Sequence, residues 1–442
     1  MAEIRERFGE LKPALTLQEA FAEASRCLFC FDAPCTRACP THIDVPAFIK
    51  KIASGNLRGS ARTIFSANVL GASCARVCPT EVLCEGACVM NDLHDRPIAI
   101  GRLQRHATDW AMTRNLPLFA PKPMPPAPGS VAILGAGPAG LACAVELRLL
   151  GYRVVVFEAS DKPGGLNTYG VAEYKMNQDC SLKEIDYVLE RGVELRLRTR
   201  VGTDLSIAQL EQEFDAIFLG VGLGGVHRLG IPGEDLPGVI DALTFIADLK
   251  SHPADARPPG RRVAVVGGGN TAIDAVTQSI RLGAEEVYLI YRRGPEEMPA
   301  YQHEQALARR DGCCFLFQAA PVRVLGSGRV EALECVKMRL GPADASGRRT
   351  PVPISGSEFR LEVDAVVRAT GQRPQEALFA HISKLERQGA GLRVDPQTMQ
   401  TSNPRYFAGG DCANGGKEVV NAVAEGKRAA LGIHRFLEGH RG

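Results

Sequence analysis

The spacing of hydrophobic residues changes along this chain. Up to about residue 115 they recur at helical intervals, for example over 17–27 and 46–53, and no long strand pattern interrupts them. From Ser130 onward, short runs of Val, Ile and Ala alternate with helical stretches, which is typical of βαβ units and a parallel sheet. The sequence therefore predicts a helical N-terminal region followed by an α/β region.

Two of the predicted βαβ units begin alike, at Val131 and at Val263. Each follows a stretch rich in helix and strand breakers, over 117–129 and over 251–260, where locked φ angles and missing donors disfavour regular structure. The second unit is therefore predicted to be an insertion in the first. We predict a helical domain over 1–116, a Pro-rich linker over 117–129, a first Rossmann-like dinucleotide domain over 130–245 and 365–442, and a second over 246–364.

Charge and the absence of export signals narrow the possible partners. The chain has 52 basic and 50 acidic residues among 442, a formal net charge of +2, so no surface for nucleic acid or an anionic membrane is expected. The N-terminal residues lack a signal-peptide core, and no later stretch is long and apolar enough to span a membrane. We therefore predict a cytoplasmic protein.

Eight of the fourteen cysteines lie between residues 27 and 88, a spacing that favours metal ligation over disulfides in a chain without an export signal. They form two sets: Cys27, Cys30, Cys35 and Cys39, followed by Pro40, and then Cys74, Cys78, Cys84 and Cys88. In ferredoxin-like runs that end in Cys-Pro, the fourth cysteine binds the other cluster. Cys39 is therefore expected to join the second set and Cys88 to complete the first. Two iron–sulfur clusters are predicted, with a structural zinc site or unliganded buried thiols as the alternatives.

A dinucleotide fingerprint follows the strand that starts at Val131. Gly135, Gly137 and Gly140 have the Gly-x-Gly-x-x-Gly spacing, which allows a tight turn, close approach of a pyrophosphate and close packing of helix on strand. Glu158 ends the next predicted strand and is placed to bind ribose hydroxyls. A chance glycine turn is the alternative.

A second fingerprint has Gly267 and Gly269, with Ala272 at the third small position. The strand after it ends in Arg292 and Arg293, where an acidic residue would contact a ribose 2′-hydroxyl, so a 2′-phosphate can be accommodated. This favours NADPH over NADH. The alternative is a solvated arginine pair beyond a strand end.

A glycine turn near the C-terminus points to a flavin. Gly410 and Asp411 end a short predicted strand before a helix, which suits a polar contact to the ribityl chain and a helix dipole at the flavin ring. A structural Asp at a turn is the alternative. With two fingerprints upstream, FAD together with a nicotinamide nucleotide is the simplest pairing.

These residues together resemble the flavoprotein subunit of bacterial dihydropyrimidine dehydrogenase and, more distantly, the small subunit of glutamate synthase. The likeness spans nearly the whole chain and includes segments 23–30, 75–84, 100–104 and 394–401. Five residues lie between Cys78 and Cys84, as in dihydropyrimidine dehydrogenases, whereas the glutamate synthase small subunit resembles this segment with a shorter gap. The resemblance therefore favours pyrimidine reduction.

The resemblance implies specific ligands. One 4Fe-4S cluster would be held by Cys27, Cys30, Cys35 and Cys88, and the other by Cys39, Cys78, Cys84 and Gln104, so that Cys74 would bind neither. Flavin contacts would come from Glu158, Gly165, Leu166, Lys175 and Asp411, although relatives have arginine where this chain has Lys175. Contacts to the nicotinamide nucleotide would come from Gly268, Asn270, Thr271, Arg292, Arg293, Ala369, Thr370 and Gly371.

The function implied is that of an electron-input subunit. Hydride would pass from NAD(P)H to FAD, and single electrons would pass through two clusters to a separate FMN-containing partner that reduces uracil or thymine to the 5,6-dihydropyrimidine. The bacterial subunit of that family is associated with NADH, whereas Arg292 and Arg293 favour NADPH. Hydride transfer depends on stacking and electrostatics, so no catalytic acid or base is predicted.

Three alternatives remain open. One is a glutamate synthase small-subunit-like NADPH oxidoreductase that feeds another partner enzyme. Another is a disulfide reductase, which would need a redox cysteine pair that the sequence beyond residue 130 does not offer. The third is a zinc-binding scaffold without activity, against which both intact fingerprints argue.

Overall fold

The computed structural model describes residues 7–118, 129–343, 347 and 349–439. Most of the predicted Pro-rich linker therefore lies outside the described residues. Backbone proximity divides the chain into two compact units. The large unit comprises the described residues of Glu10–Thr168, Lys175–Leu223 and Pro374–Gly442, and the small unit comprises Tyr169–Tyr174 and Gly224–Arg373 with the described N-terminal residues up to Gly9.

The N-terminal part of the large unit is helical, as predicted. Side-chain caps fix several helix starts: Thr16 forms a capping box, and Asp44 and Asn56 accept hydrogen bonds from backbone N–H groups. The helices are α1 (Leu17–Ser25), α2 (Pro34–Ala38), α3 (Val45–Ala53), α4 (Leu57–Ala67), α5 (Gly71–Val77) and α6 (Ile100–Thr113), with 3-10 turns at Thr80–Val82 and Val89–Asn91. Their apolar faces meet in one core that includes Phe48 and Leu103.

The large unit continues with alternating strands and helices. These are β1 (Ser130–Leu134), α7 (Pro138–Leu149), β2 (Arg153–Phe157), α8 (Leu166–Tyr169), α9 (Gln178–Leu189), β3 (Glu194–Arg196), α10 (Ile207–Glu213) and β4 (Ala216–Leu219). The residues of β4 and all but the first of β1 and β2 are buried, which is typical of parallel strands covered on both faces.

The small unit contains a second parallel sheet and an antiparallel one. Its elements are β5 (Val239–Asp241), α11 (Ala242–Ser251), β6 (Arg262–Val266), α12 (Asn270–Arg281), β7 (Glu286–Tyr291), a 3-10 turn (Pro295–Glu297), α13 (Gln302–Asp311), β8 (Cys314–Phe317), β9 (Ala319–Leu325), β10 (Ala332–Ala343), β11 (Arg349–Glu362) and β12 (Ala365–Arg368). The parallel sheet has the order β5-β12-β6-β7-β8, and β9, β10 and β11 pair antiparallel.

The chain then returns to the large unit. The elements are α14 (Glu376–Phe379), β13 (Arg387–Gln388), β14 (Gly391–Leu392), β15 (Tyr406–Ala408), α15 (Asp411–Asn414) and α16 (Val419–Gly439). Strand β15 joins β4, which completes a parallel sheet of order β15-β4-β1-β2-β3. The predicted α/β class with a helical N-terminal domain is confirmed. None of the described helices is both long and apolar enough to cross a membrane.

The small unit extends beyond the range 246–364 predicted for the second nucleotide domain. Strands β5 and β12 lie outside that range, yet both belong to the second sheet, where β12 pairs with β5 and β6. The two strands have only three and four residues, too few for a sequence pattern to indicate which sheet they join. The assignment of individual cofactors to the predicted domains stays a prediction.

Candidate functional site

Four cysteines line one cavity in the helical part of the large unit: Cys27, Cys30, Cys35 and Cys88. The other walls are apolar and include Ile49, Met90 and Ile100. All four cysteines are only partly buried. Four thiols in an otherwise apolar cavity fit a 4Fe-4S cluster, which takes one thiolate on each iron. The structure thus brings together the four residues predicted to hold the first cluster.

The second predicted set lies deeper. Cys39 and Cys78 are buried, and Cys84 interacts electrostatically with both, while burial raises the pKa of Cys84 well above its ordinary value. Gln104 is buried on α6, and its Nε2 donates to the carbonyl of Gly71 at 2.7 Å. The amide oxygen of Gln104 is the atom with lone pairs for a metal. The role of Gln104 stays a prediction.

Cys74 lies beside the second set, although the resemblance implies that it is not a ligand. A hydrogen bond with Cys74, reinforced by burial, raises the pKa of Cys78 well above its ordinary value. Within the described ranges, no three His, Cys, Asp or Glu side chains are close enough together to hold a single metal ion. A 4Fe-4S cluster does not need several side chains around one metal ion, because each of its thiolates binds a different iron.

One acidic residue links the second cysteine set to the predicted flavin turn. Glu418 interacts electrostatically with both Cys78 and Asp411. Its neighbour Val420, at the start of α16, packs into the same core as Cys39 and Cys78. The shared interaction with Glu418 therefore places Cys78, of the second set, near the flavin turn. The sequence contained no motif that singled out Glu418.

The first fingerprint forms a cradle at the start of α7. Gly135 has a φ of +96°, and a Cβ there would lie 2.5 Å from the oxygen of Gly220. A Cβ on Gly140 would lie 2.0 Å from the oxygen of Gly135, so the helix can pack on the turn only without a side chain. Gly137 caps α7 without a side-chain hydrogen bond. The first N–H groups of this twelve-residue helix are therefore available to a pyrophosphate.

Glu158, Gly165 and Leu166, which are predicted to contact flavin, lie around this cradle. Glu158 accepts hydrogen bonds from the N–H groups of Ala136 and Ser160, both at 2.8 Å, and its oxygens retain lone pairs for ribose hydroxyls. Gly165 lies against Gly137, and the partly exposed Leu166 begins α8. Lys175 lies half-buried in a turn, and its role stays a prediction.

The C-terminal glycine turn is held by a second buried carboxylate. Glu425 of α16 accepts hydrogen bonds from the N–H of Gly410 at 2.7 Å and from Nδ2 of Asn414 at 2.9 Å. Burial raises the pKa of both Glu425 and Asp411. Glu425 fixes the turn that positions Asp411, but in the sequence it is one polar residue on an amphipathic helix and could not be distinguished.

The second fingerprint forms a similar cradle in the small unit. A Cβ on Gly267 would lie 2.2 Å from the oxygen of Ala369, so the predicted 369–371 turn borders the fingerprint. Gly269 caps α12 without a side-chain hydrogen bond, and a Cβ there would meet nothing within 4 Å. Gly268 packs on the ring of Tyr291, and Thr271 is in the first turn of α12. Oδ1 of Asn270 accepts a hydrogen bond from the N–H of Tyr301. In the 369–371 turn, Oγ1 of Thr370 donates to the carbonyl of His227, and the N–H of His227 donates to the carbonyl of Gly371.

The two predicted phosphate-binding arginines have different surroundings. Arg292 is exposed just after β7 and makes no hydrogen bond or ion pair with another residue that the structure describes. Arg293 is buried, and its Nε donates to the carbonyl of Arg349 at 2.9 Å. Arg292 is therefore the more available of the two for a 2′-phosphate.

Comparison with known proteins agrees with these features. A model of the pyridine nucleotide-disulphide oxidoreductase family matches residues 129–426, and a model described as dihydropyrimidine dehydrogenase domain II, 4Fe-4S cluster, matches residues 4–116. Together they define a class: oxidoreductases with an iron–sulfur domain ahead of an FAD- and NAD(P)H-binding region. The predicted cofactors, namely FAD, NAD(P)H and 4Fe-4S clusters, are confirmed at this level.

The chain is 38% identical to the small chain of glutamate synthase (NADPH) from Halomonas elongata, over 98% of this chain and 94% of the relative. It is 37% identical to the Escherichia coli small chain, with the same coverage. The chain therefore belongs to the pyridine nucleotide-disulphide oxidoreductase family, among members similar to the glutamate synthase small chain. These relatives favour the alternative prediction over a dihydropyrimidine dehydrogenase subunit.

Other similarities are partial or concern the fold alone. The NADPH-Fe(3+) oxidoreductase subunit beta of Geobacter sulfurreducens is 38% identical over 92% of this chain and 64% of its own. FprA of Mycobacterium tuberculosis, solved in complex with NADPH, matches with a TM-score of 0.59 and 21% identity over 71% of this chain and 86% of FprA. Thioredoxin reductase of T. acidophilum matches with a TM-score of 0.55 and 20% identity over 70% of this chain and 98% of the reductase.

Proposed function

We propose that this chain is the NADPH-oxidising, electron-input subunit of a hetero-oligomeric enzyme. The observation that carries the proposal is the cavity lined by Cys27, Cys30, Cys35 and Cys88, in the same compact unit as the first dinucleotide fingerprint. A chain that holds both a flavin and clusters can convert a two-electron donor into a source of single electrons. The names of the relatives, which are small chains or beta subunits, support a separate catalytic partner.

The residues of this chain bind and orient, and the redox chemistry is supplied by the cofactors when they are bound. The N-termini of α7 and α12 would each hold a pyrophosphate, because their glycine caps leave backbone N–H groups unused. Glu158 would hold the ribose of FAD, and Asp411 its ribityl chain. The fixed position of Asp411 comes from Glu425, which ties down the preceding glycine.

NADPH is the proposed donor because Arg292 is exposed and unpaired among the described residues at the end of β7, where a 2′-phosphate would lie. The glutamate synthase relatives are named for NADPH, which supports the same choice. This proposal departs from the NADH expected of bacterial dihydropyrimidine dehydrogenase.

Two partners are candidates. The large chain of glutamate synthase is the first, because relatives matched over 98% of this chain are its small chains. A pyrimidine-reducing subunit with FMN is the second. It is supported by the description of the family model over residues 4–116 and by the five residues between Cys78 and Cys84.

Anaerobic stopped-flow reduction of the purified, cluster-loaded chain tests the proposal. NADPH should bleach the flavin band quickly and then reduce the clusters, and NADH should do so more slowly. Cys30→Ser should keep flavin bleaching but lower electron delivery to an added partner, whereas Cys314→Ser, at an exposed cysteine outside both sets, should change neither. Failure of both nucleotides to bleach the flavin would refute the electron-input function. Glutamate formation with the large chain, or dihydrouracil formation with the pyrimidine subunit, identifies the partner.

A further inference from the structure

Among the residues that the structure describes, the exposed phenylalanines are concentrated in one short segment. Phe21, Phe29 and Phe31 are 54%, 37% and 106% exposed, and no other Phe in the described ranges is exposed. Leu17 and Leu28, in the same segment, are 69% and 54% exposed. We call these five residues, Leu17, Phe21, Leu28, Phe29 and Phe31, the Phe patch.

Along the chain, the Phe patch brackets Cys27 and Cys30 of the first cysteine set. Leu28 lines the cavity that holds the four cysteines, and Phe29 and Phe31 flank Cys30. Phe29 has a φ of +50°, a left-handed conformation that is rare for an aromatic residue and turns the loop sharply between two cysteines. Leu17 and Phe21 are four residues apart on α1 and so share one helix face.

The size of the patch suits a protein partner. With roughly 150–250 Å² available to an aromatic side chain and a similar area for Leu, the five exposed fractions correspond to on the order of 700 Å². Each side of a standard protein interface buries about 800 Å², so the summed exposed area of these five residues is of the size that one partner contributes.

We infer that the Phe patch docks the electron-accepting subunit, through an apolar face next to that subunit's own redox group. This inference rests on the proposed function. Oxidation of one NADPH to NADP⁺ and a proton releases two electrons, which leave one at a time across this face and reduce the partner's acceptor. A second copy of this chain is the less suitable occupant. A two-fold contact through this face would place the same cysteine set on both sides, so the electrons would have no acceptor.

The test uses the full chain loaded with FAD and clusters, and purified glutamate synthase large chain and pyrimidine-reducing subunit as acceptors. Phe31→Ser and the double variant Phe21→Ser/Phe31→Ser are compared with Ile354→Ser and Leu431→Ser, which change exposed apolar residues elsewhere. NADPH–ferricyanide activity and the EPR signals of the reduced clusters should be unchanged in all variants. With the acceptor that the wild-type chain reduces, the patch variants should raise the KM for this chain at least tenfold, and the controls should not. Added salt should change this KM little, because the contact is apolar.

The outcomes separate the two proposals. If the wild-type chain reduces neither acceptor, the proposed function fails and this inference fails with it. If the wild-type chain reduces an acceptor and the patch variants do so equally well, only the docking surface is overturned. Conversion of a dimer of this chain to monomers by Phe31→Ser, measured by sedimentation, would also overturn it, since a second copy would then be the occupant.

Discussion

Gly269→Ala should separate nucleotide binding from the stability of the fold. Gly269 is the N-cap of α12, and a Cβ at this position would meet nothing within 4 Å. Its φ of −89° and ψ of 175° are open to any residue. The methyl group of alanine would nevertheless project into the space from which a pyrophosphate reaches the first N–H groups of the helix. The substitution should therefore leave the chain folded and impair NADPH binding.

The expected magnitudes follow from these surroundings. Without a clash, only the weaker capping by alanine changes the stability, by less than about 1 kcal/mol. Displacement of the pyrophosphate would lose at least one charge-assisted hydrogen bond, worth about 1.5–3 kcal/mol, which corresponds to a rise in the Kd for NADPH of roughly ten- to a hundredfold. By contrast, a Cβ on Gly140 would lie 2.0 Å from a backbone oxygen, so Gly140→Ala should destabilise the fold itself.

The assay is NADPH–ferricyanide turnover at saturating ferricyanide, with thermal unfolding and flavin content measured on the same samples. Gly269→Ala should raise the KM for NADPH and keep both the Tm and the bound FAD. Gly439→Ala, at an equally open glycine near the end of α16, is the matched control and should change nothing. An unchanged KM in Gly269→Ala would show that the nucleotide does not approach the start of α12, and the reasoning from the open cradle would be wrong.

Three other substitutions test two residues of the site and one buried carboxylate outside it. Cys88→Ser should lower the iron content by about half while FAD is retained, as measured by iron analysis, and full iron content would contradict the grouping of the four cysteines. Arg292→Gln should weaken NADPH binding by roughly tenfold or more and leave NADH binding unchanged, so the ratio of the two kcat/KM values is the measurement. Burial raises the pKa of Glu184 from 4.5 to about 7, so this group binds a proton on folding and its stabilising contribution, present below pH 4.5, is lost as the pH rises towards 7. The loss is about 3 kcal/mol, and urea unfolding at pH 5 and pH 8 should show a smaller difference for Glu184→Gln than for the wild-type chain.

The glycine turns could be predicted because their signals are local, and the grouping of Cys88 with Cys27, Cys30 and Cys35 because ferredoxin-like runs that end in Cys-Pro exchange a ligand between clusters. Gly135 and Gly267 stand at a fixed distance after a strand, and the spacing of the cysteines within a few turns carries their pattern. Contacts between distant segments that no motif links could not be predicted. Glu184 accepts hydrogen bonds from the N–H groups of Ala72 and Ser73, more than a hundred residues earlier, and nothing in the sequence near any of them indicates the contact. The same holds for β12, whose place in the second sheet depends on pairing with β6.

Burial and charge also indicate the order in which electrons would pass through the two cysteine sets. Cys39 and Cys78 are buried, and Cys78 shares with Asp411 an interaction with Glu418, which places Cys78 near the flavin turn. The first set is only partly buried and lies beside the Phe patch. On the proposed assignments, electrons would therefore reach the second set before the first and leave from the first. Cys88→Ser distinguishes this order from the reverse, because loss of the outer cluster should block delivery to a partner and still allow NADPH to reduce the inner one.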